Sequence, residues 1–253
     1  MSHPRITVNF SCEGRWDAML VPMTKFLSRL GLVLVLSSLS VVTVFSAPAG
    51  PASRTLFLIR HGAFDAQPGA DDKAGNPLTA LGREQAADVA ARLAGLPLKF
   101  DAVTSSEFTR ARETGDIIAT KLGLPCARDG LLNECAPTRF DQPAKPEQAV
   151  ADAQLAQAWA RYTSLSASGV PVHEVLACHG NVIRWFVCRA LGTDTKQWIN
   201  MEIANCSITV IQIRADGSIR LQMFNDASHI PLDRQTWAGK GPGWPLPAQA
   251  KAK

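Results

Sequence analysis

An unbroken apolar run, Thr55-Leu56-Phe57-Leu58-Ile59, lies between Arg54 and Arg60. A run of that length and β-branched content predicts a strand covered on both faces. After a loop rich in Gly, Asp and Pro over residues 62–77, Leu81, Ala86, Val89, Ala90 and Leu93 recur at helical spacing, which predicts a helix over 79–94 with Gly95 placed to end it. Residues 100–104 read as a second strand. Ala111, Thr114, Ile118 and Leu122 then line a second helix that stops at Gly123. Residues 136–146 are Pro-rich and irregular, and Val150, Leu155, Trp159 and Tyr162 mark a helix over 146–165. A further buried strand follows at 172–178, then a helix at 182–191 stopped by Gly192, and a strand at 205–214. Asp216-Gly217 turns that strand into a hairpin with 219–224.

Alternating strands and helices of this kind specify an α/β domain: a three-layer αβα sandwich with a largely parallel central sheet and an antiparallel edge hairpin. The pattern bounds it at residues 50–234. The tail over 235–253, with Gly-Pro-Gly-Trp-Pro and a terminal Ala/Lys run, reads as unstructured. The N-terminal extension, residues 1–49, reads differently. Leu30 opens an uncharged apolar run that ends at Phe45, with Lys25 and Arg29 before it and small residues from Ser46 to Gly50 after it. That order is a signal peptide's, and the length of residues 30–47 suits either a cleaved leader or a membrane anchor. Export to a periplasm or secretion, or tethering to a membrane, follows. Because basic residues normally sit near a leader's start, Met23 reads as the initiator.

Hydrophobic residues make up 46% of the 253 positions and charged residues 19%, a globular composition with enough apolar surface for one sizeable core. The net charge is +4, and without residues 1–49 it falls to +2, which gives no footprint for nucleic acid. Six cysteines, at 12, 126, 135, 178, 188 and 206, show no zinc-type spacing, so no metal is read from them; a pairing of Cys126 with Cys135 across a loop stays open, and most read as small buried hydrophobes.

Two of the buried strands end in a histidine: Arg60-His61-Gly62 and Cys178-His179-Gly180-Asn181. In open α/β sheets ligands bind beyond the carboxyl ends of the strands, so Arg60, His61 and His179 are expected to converge. Arg110, near the start of the helix after the second strand, faces the same end. Forked arginine donors and a helix N-terminus together make a trap for a tetrahedral dianion. Asn181 is placed to cap the helix after His179.

The segments Leu58-Ile59-Arg60-His61-Gly62, residues 78–86, residues 105–114, Leu132-Asn133-Glu134 and residues 178–184 together resemble the histidine phosphatase, or phosphoglycerate-mutase-like, superfamily, in its order and over residues 54–234. Within it they are most similar to the mitochondrial Ser/Thr protein phosphatase branch. The resemblance implies a phosphatase that needs no metal or other cofactor and works through a phosphohistidine. His61 would be the nucleophile, Glu134 the proton donor, and Arg60, Arg110 and His179 the phosphate-binding groups, with His179 also counted as catalytic. The implied substrate is a phosphorylated small molecule or a phosphoprotein.

Departures from the family pattern narrow the reading. Ala63-Phe64-Asp65 follows the first motif without the Glu or Gln common after it, and the Asn typical of phosphoglycerate mutases is missing nearby, which disfavours a phosphomutase. Cys135 replaces a glycine after Glu134, and only Trp16-Asp17 resembles the branch's N-terminal assembly motif, so no oligomeric state is carried over. A membrane-tethered phosphate binder without turnover is a further alternative, as is a cysteine phosphatase using Cys178 with Arg184 at Cys-x5-Arg spacing.

Overall fold

A computed structural model describes residues 50–166 and 169–237 of the chain. The 30–47 run, Met23 and the tail beyond Trp237 lie outside the described residues.

The strands are β1 (Arg54–Arg60), β2 (Ala102–Ser105), β3 (Cys126–Arg128), β4 (Val172–Cys178), β5 (Ile208–Ile213) and β6 (Ile219–Asp226). They form a six-stranded sheet in the order β3-β2-β4-β1-β5-β6. β1 pairs in parallel with β4, and β2 in parallel with β3 and β4. β5 runs antiparallel to both β1 and β6, so the hairpin supplies the antiparallel edge. The helices are α1 (Ala80–Ala94), α2 (Thr109–Leu122), α3 (Pro146–Tyr162) and α4 (Gly180–Leu191).

β1 shows why the domain has three layers. Successive side chains of a strand point to opposite faces. Phe57 and Ile59 pack with Ala86, Val89 and Leu93 of α1 and Ile118 of α2, whereas Leu56 and Leu58 pack with Leu155 of α3 and Val182, Ile183 and Phe186 of α4. Leu56, Leu58 and Ile59 have no exposed surface, so each contributes roughly 1.5–3 kcal/mol of burial.

Local chemistry sets the helix boundaries. Thr79 caps α1 by accepting from the Gly82 amide, and Gly123 and Gly192 end α2 and α4 in the left-handed conformation. α4 begins at Gly180, two residues before the apolar pattern, with His179 in the N-cap position. Asn181 does not cap it: its amide Nδ2 donates to the Cys135 carbonyl and its Oδ1 accepts from Arg184. β3 carries no apolar alternation and is only three residues long, which is why the sequence pattern passes over it.

The packed domain also extends beyond residue 234. Gln235, Thr236 and Trp237 are buried. Gln235 donates to the Ala227 and Ile230 carbonyls, and Thr236 sits between Asn205 and Gln85. Polar composition hides this because the stretch is fixed by side-chain hydrogen bonds and not by an apolar stripe. The described cysteines, 126, 135, 178, 188 and 206, are all free.

Candidate active site

The carboxyl ends of β1, β2 and β4 carry the site. β1 and β4 run in register to Arg60 and Cys178, and the His61 amide donates to the Cys178 carbonyl, so the two histidines leave the sheet side by side. Their ring centroids are 5.1 Å apart, although 118 positions of sequence separate them. Both rings are buried.

The turn after β1 is held from several directions. The Asn205 amide donates to the His61 carbonyl, Gly62 donates to Thr114, and Ala63 donates to Gln85. Gly62 meets Gly82 so closely that a Cβ on Gly62 would lie 2.4 Å from the Gly82 carbonyl oxygen, which only two glycines tolerate. The His61 ring is fixed as well: Nδ1 lies 2.8 Å from the Gly62 carbonyl, which can only accept. Nδ1 therefore carries the proton and Nε2 presents a lone pair.

Around this imidazole are cations with unused donors. Arg60 is buried and donates one Nη1 hydrogen bond to the Ile203 carbonyl, while its Nε has no hydrogen-bond partner among the described residues. Burial pulls its pKa down to about 10 and the Glu134 carboxylate opposes the shift, so it stays charged at neutral pH. Arg110 is gripped between the rings of Phe64 and Phe108, with centroids 4.8 and 5.2 Å from its guanidinium carbon, and its Nη1 pairs with Asp72. Its Nε is likewise buried without a hydrogen-bond partner. Buried donors left unpaired are costly, so an arrangement that leaves two arginine edges free is built for an anion.

Desolvation pushes the His61 pKa well below the usual imidazole value, with the Arg60 and Arg110 charges adding to it, so His61 stays neutral. His179 is lowered in the same way, by burial first and then by His61, Arg110 and Arg60. Glu134 moves the other way: burial raises it to about 7 despite the opposing pull of Arg60 and Arg110. Its Oε1 is buried without a hydrogen-bond partner. Glu134 thus holds a proton that it can give or recover near neutral pH.

All five sequence-predicted residues, Arg60, His61, Arg110, Glu134 and His179, enter this one electrostatic neighbourhood. Cys178 is different. Its side chain is fully buried on the α3 and α4 face and burial drives its thiol pKa upward, the opposite of an activated nucleophile. The His229 ring is engaged elsewhere, its Nε2 lying 3.0 Å from the Cys206 carbonyl. Among the described residues no group of His, Cys, Asp and Glu could hold a metal ion.

A family model described as the histidine phosphatase superfamily (branch 1) matches residues 56–175 and 156–227. The chain belongs to the histidine phosphatase superfamily. It is 39% identical over 194 residues to a mitochondrial serine/threonine-protein phosphatase of Homo sapiens, an alignment covering 73% of this chain and 66% of that protein. The counterpart from Caenorhabditis briggsae is 35% identical over 189 residues, covering 71% of this chain and 65% of that protein. The chain thus spans about two thirds of the length of these curated relatives. In fold it is similar to the crystal structure of phosphoglycerate mutase from Plasmodium falciparum, with a TM-score of 0.52, 25% identity, and 71% of this chain and 95% of that one covered.

This histidine phosphatase domain also uses residues that the sequence reading gave no role. Ser106 contacts His179, Asp72 binds Arg110, Phe64 and Phe108 sandwich that arginine, and Asn205 ties the His61 carbonyl. Phe64 and Ser106 lie within or next to the quoted motifs. Asp72 gives no signal because it sits in a loop with three other acidic or basic residues nearby, and only the fold selects which one meets Arg110.

Proposed function

We propose that the chain is a phosphomonoesterase that works without a metal, through a phosphohistidine on His61. The observation that carries this reading is the orientation of His61: its Nδ1–H is spent on Gly62, and its Nε2 lone pair is free beside two arginines with unused donors. In-line attack by Nε2 forms the nitrogen–phosphorus bond while the ester oxygen departs with the proton from Glu134. Arg60, Arg110 and His179 take the charge on the three equatorial oxygens. The Glu134 carboxylate then removes a proton from the attacking water, which breaks the nitrogen–phosphorus bond and releases phosphate with His61 neutral again.

Phosphorylated proteins are the proposed substrates, because the curated relatives described above carry the name of Ser/Thr protein phosphatases. We further propose that residues 50–237 make up the catalytic domain and that the 30–47 run takes the chain to, or anchors it in, a membrane. N-terminal sequencing of the mature protein distinguishes an anchor from a cleaved leader. The catalytic reading is tested with an aryl phosphate in the presence of EDTA. Release of the phenol should continue in the chelator and be lost in His61→Ala; release that persists in that variant contradicts the reading. A panel of phosphopeptides and sugar phosphates then tests the substrate class, with the phosphopeptides expected to give the higher kcat/KM.

A further inference from the structure

His179 is held at one edge by a network that fixes where its proton sits. Its Nε2 lies 2.8 Å from Ser106 Oγ. The same hydroxyl oxygen is 2.9 Å from Asn133 Oδ1 and 3.1 Å from the Phe108 amide. The Asn133 amide group has a single consistent orientation, because its Oδ1 also accepts from the Glu107 backbone N–H and its Nδ2 donates to the Glu107 carboxylate. Oδ1 is therefore an acceptor, and the one hydroxyl hydrogen of Ser106 must go to it. Ser106 Oγ is left to accept from the Phe108 N–H and from His179, so His179 carries its hydrogen on Nε2. That leaves Nδ1, buried and without a hydrogen-bond partner among the described residues, as a bare lone pair beside the phosphate-binding groups.

A bare lone pair repels a phosphate dianion. It becomes a donor only with a second hydrogen, or else it accepts from a phosphate P–OH. Either way one proton from solvent is shared between Nδ1 and a phosphate oxygen. Resting on the phosphatase reading above, we propose that Ser106, set by Asn133, is a positioning residue that holds His179 as its Nε2–H form, so that the site takes up one proton with each phosphate dianion it binds.

The other charged groups around His179 are accounted for. Arg60 and His61 come from the end of β1, Arg110 from α2 with Asp72 behind it, and Glu134 from the segment after Leu132. Arg184 of α4 faces Glu134 and Arg60, and Glu107 with Lys73 closes the network beyond Asn133. Of these, Glu134 titrates near neutral pH and His61 presents a second bare nitrogen, Nε2, to the phosphate, so the test is made in the double variant Glu134→Gln, His61→Ala.

The probe is inorganic phosphate, titrated calorimetrically at about pH 8.5, where it is a dianion, in buffers of different ionisation enthalpy. This double variant should take up about one proton per phosphate bound. Adding Ser106→Ala frees the ring to adopt the Nδ1–H form, which donates to the dianion directly, and uptake should fall toward zero. Ser106→Thr, which keeps the hydroxyl, should restore it. Zero uptake in the double variant, or unchanged uptake after Ser106→Ala, overturns the proposal. Nitrogen-15 NMR of the otherwise unchanged protein provides a test that does not depend on a variant folding: His179 should show the Nε2–H tautomer, and the Nδ1–H tautomer contradicts the assignment. Failure of the protein to bind phosphate or to hydrolyse an aryl phosphate would instead count against the phosphatase reading itself.

Discussion

The middle of β1 and the turn that follows it obey opposite rules. Leu56, Phe57, Leu58 and Ile59 alternate between two apolar layers, leaving no polar side chain unpaired. One residue later, Arg60 and His61 are just as buried, yet they sit among charged and polar atoms that lack partners. The first region stabilises the fold. The second is held in place by it at a cost, and the cost is what makes the pocket reactive, since desolvation lowers the two imidazoles and raises Glu134.

Substitutions can break that contrast, the largest effect coming at the turn. His61→Ala removes the proposed nucleophile and should lower kcat by at least about 1000-fold while leaving the thermal midpoint little changed. Glu134→Gln should cost about 10²–10⁴ in kcat with alkyl phosphates, and much less with an aryl phosphate whose leaving oxygen needs no proton. For the same reason kcat/KM on alkyl phosphates should fall as pH rises through about 7, where the Glu134 carboxyl loses its proton.

The same carboxyl makes the stability prediction run the other way. The folded-state pKa of Glu134 lies above its unfolded value, so its contribution to stability diminishes as pH rises from the ordinary carboxyl range through about 7. Glu134→Gln should therefore melt higher than the unchanged protein at pH 8, a gain in stability paired with a loss of activity. In the strand the pattern reverses: Leu58→Ala should cost about 2–5 kcal/mol in denaturant unfolding, with kcat retained in the fraction that stays folded. The smallest effect is expected at Asp72, which is partly exposed and holds only one corner of Arg110. Asp72→Asn should raise KM by a few-fold with kcat nearly unchanged, and an equal fall in kcat would mean that Arg110 is positioned for the transition state alone.

The same contrast explains what the sequence disclosed. Apolar periodicity is a local signal, and it placed β1, β4 and the four helices within a few residues because each buries a continuous stripe. Arg60, His61, Arg110 and His179 were legible because each sits at the end of an element whose direction the pattern also reveals, whereas Glu134, in an irregular segment after Leu132, was reached only through the family resemblance. Ser106, Asn133 and Asp72 were not, since their roles depend on hydrogen bonds 27 to 73 positions away in the chain. Gln235 and Thr236 escaped for the same reason, as polar residues fixed by Ala227, Ile230, Asn205 and Gln85 across the fold.

Rapid acid-free quenching after mixing with phosphorus-32-labelled substrate, followed by peptide mapping, tests the central claim most directly. Label that is base-stable, acid-labile and confined to His61 is the predicted result. Acid-stable label on Cys178, or turnover with no labelled protein at any time, contradicts it.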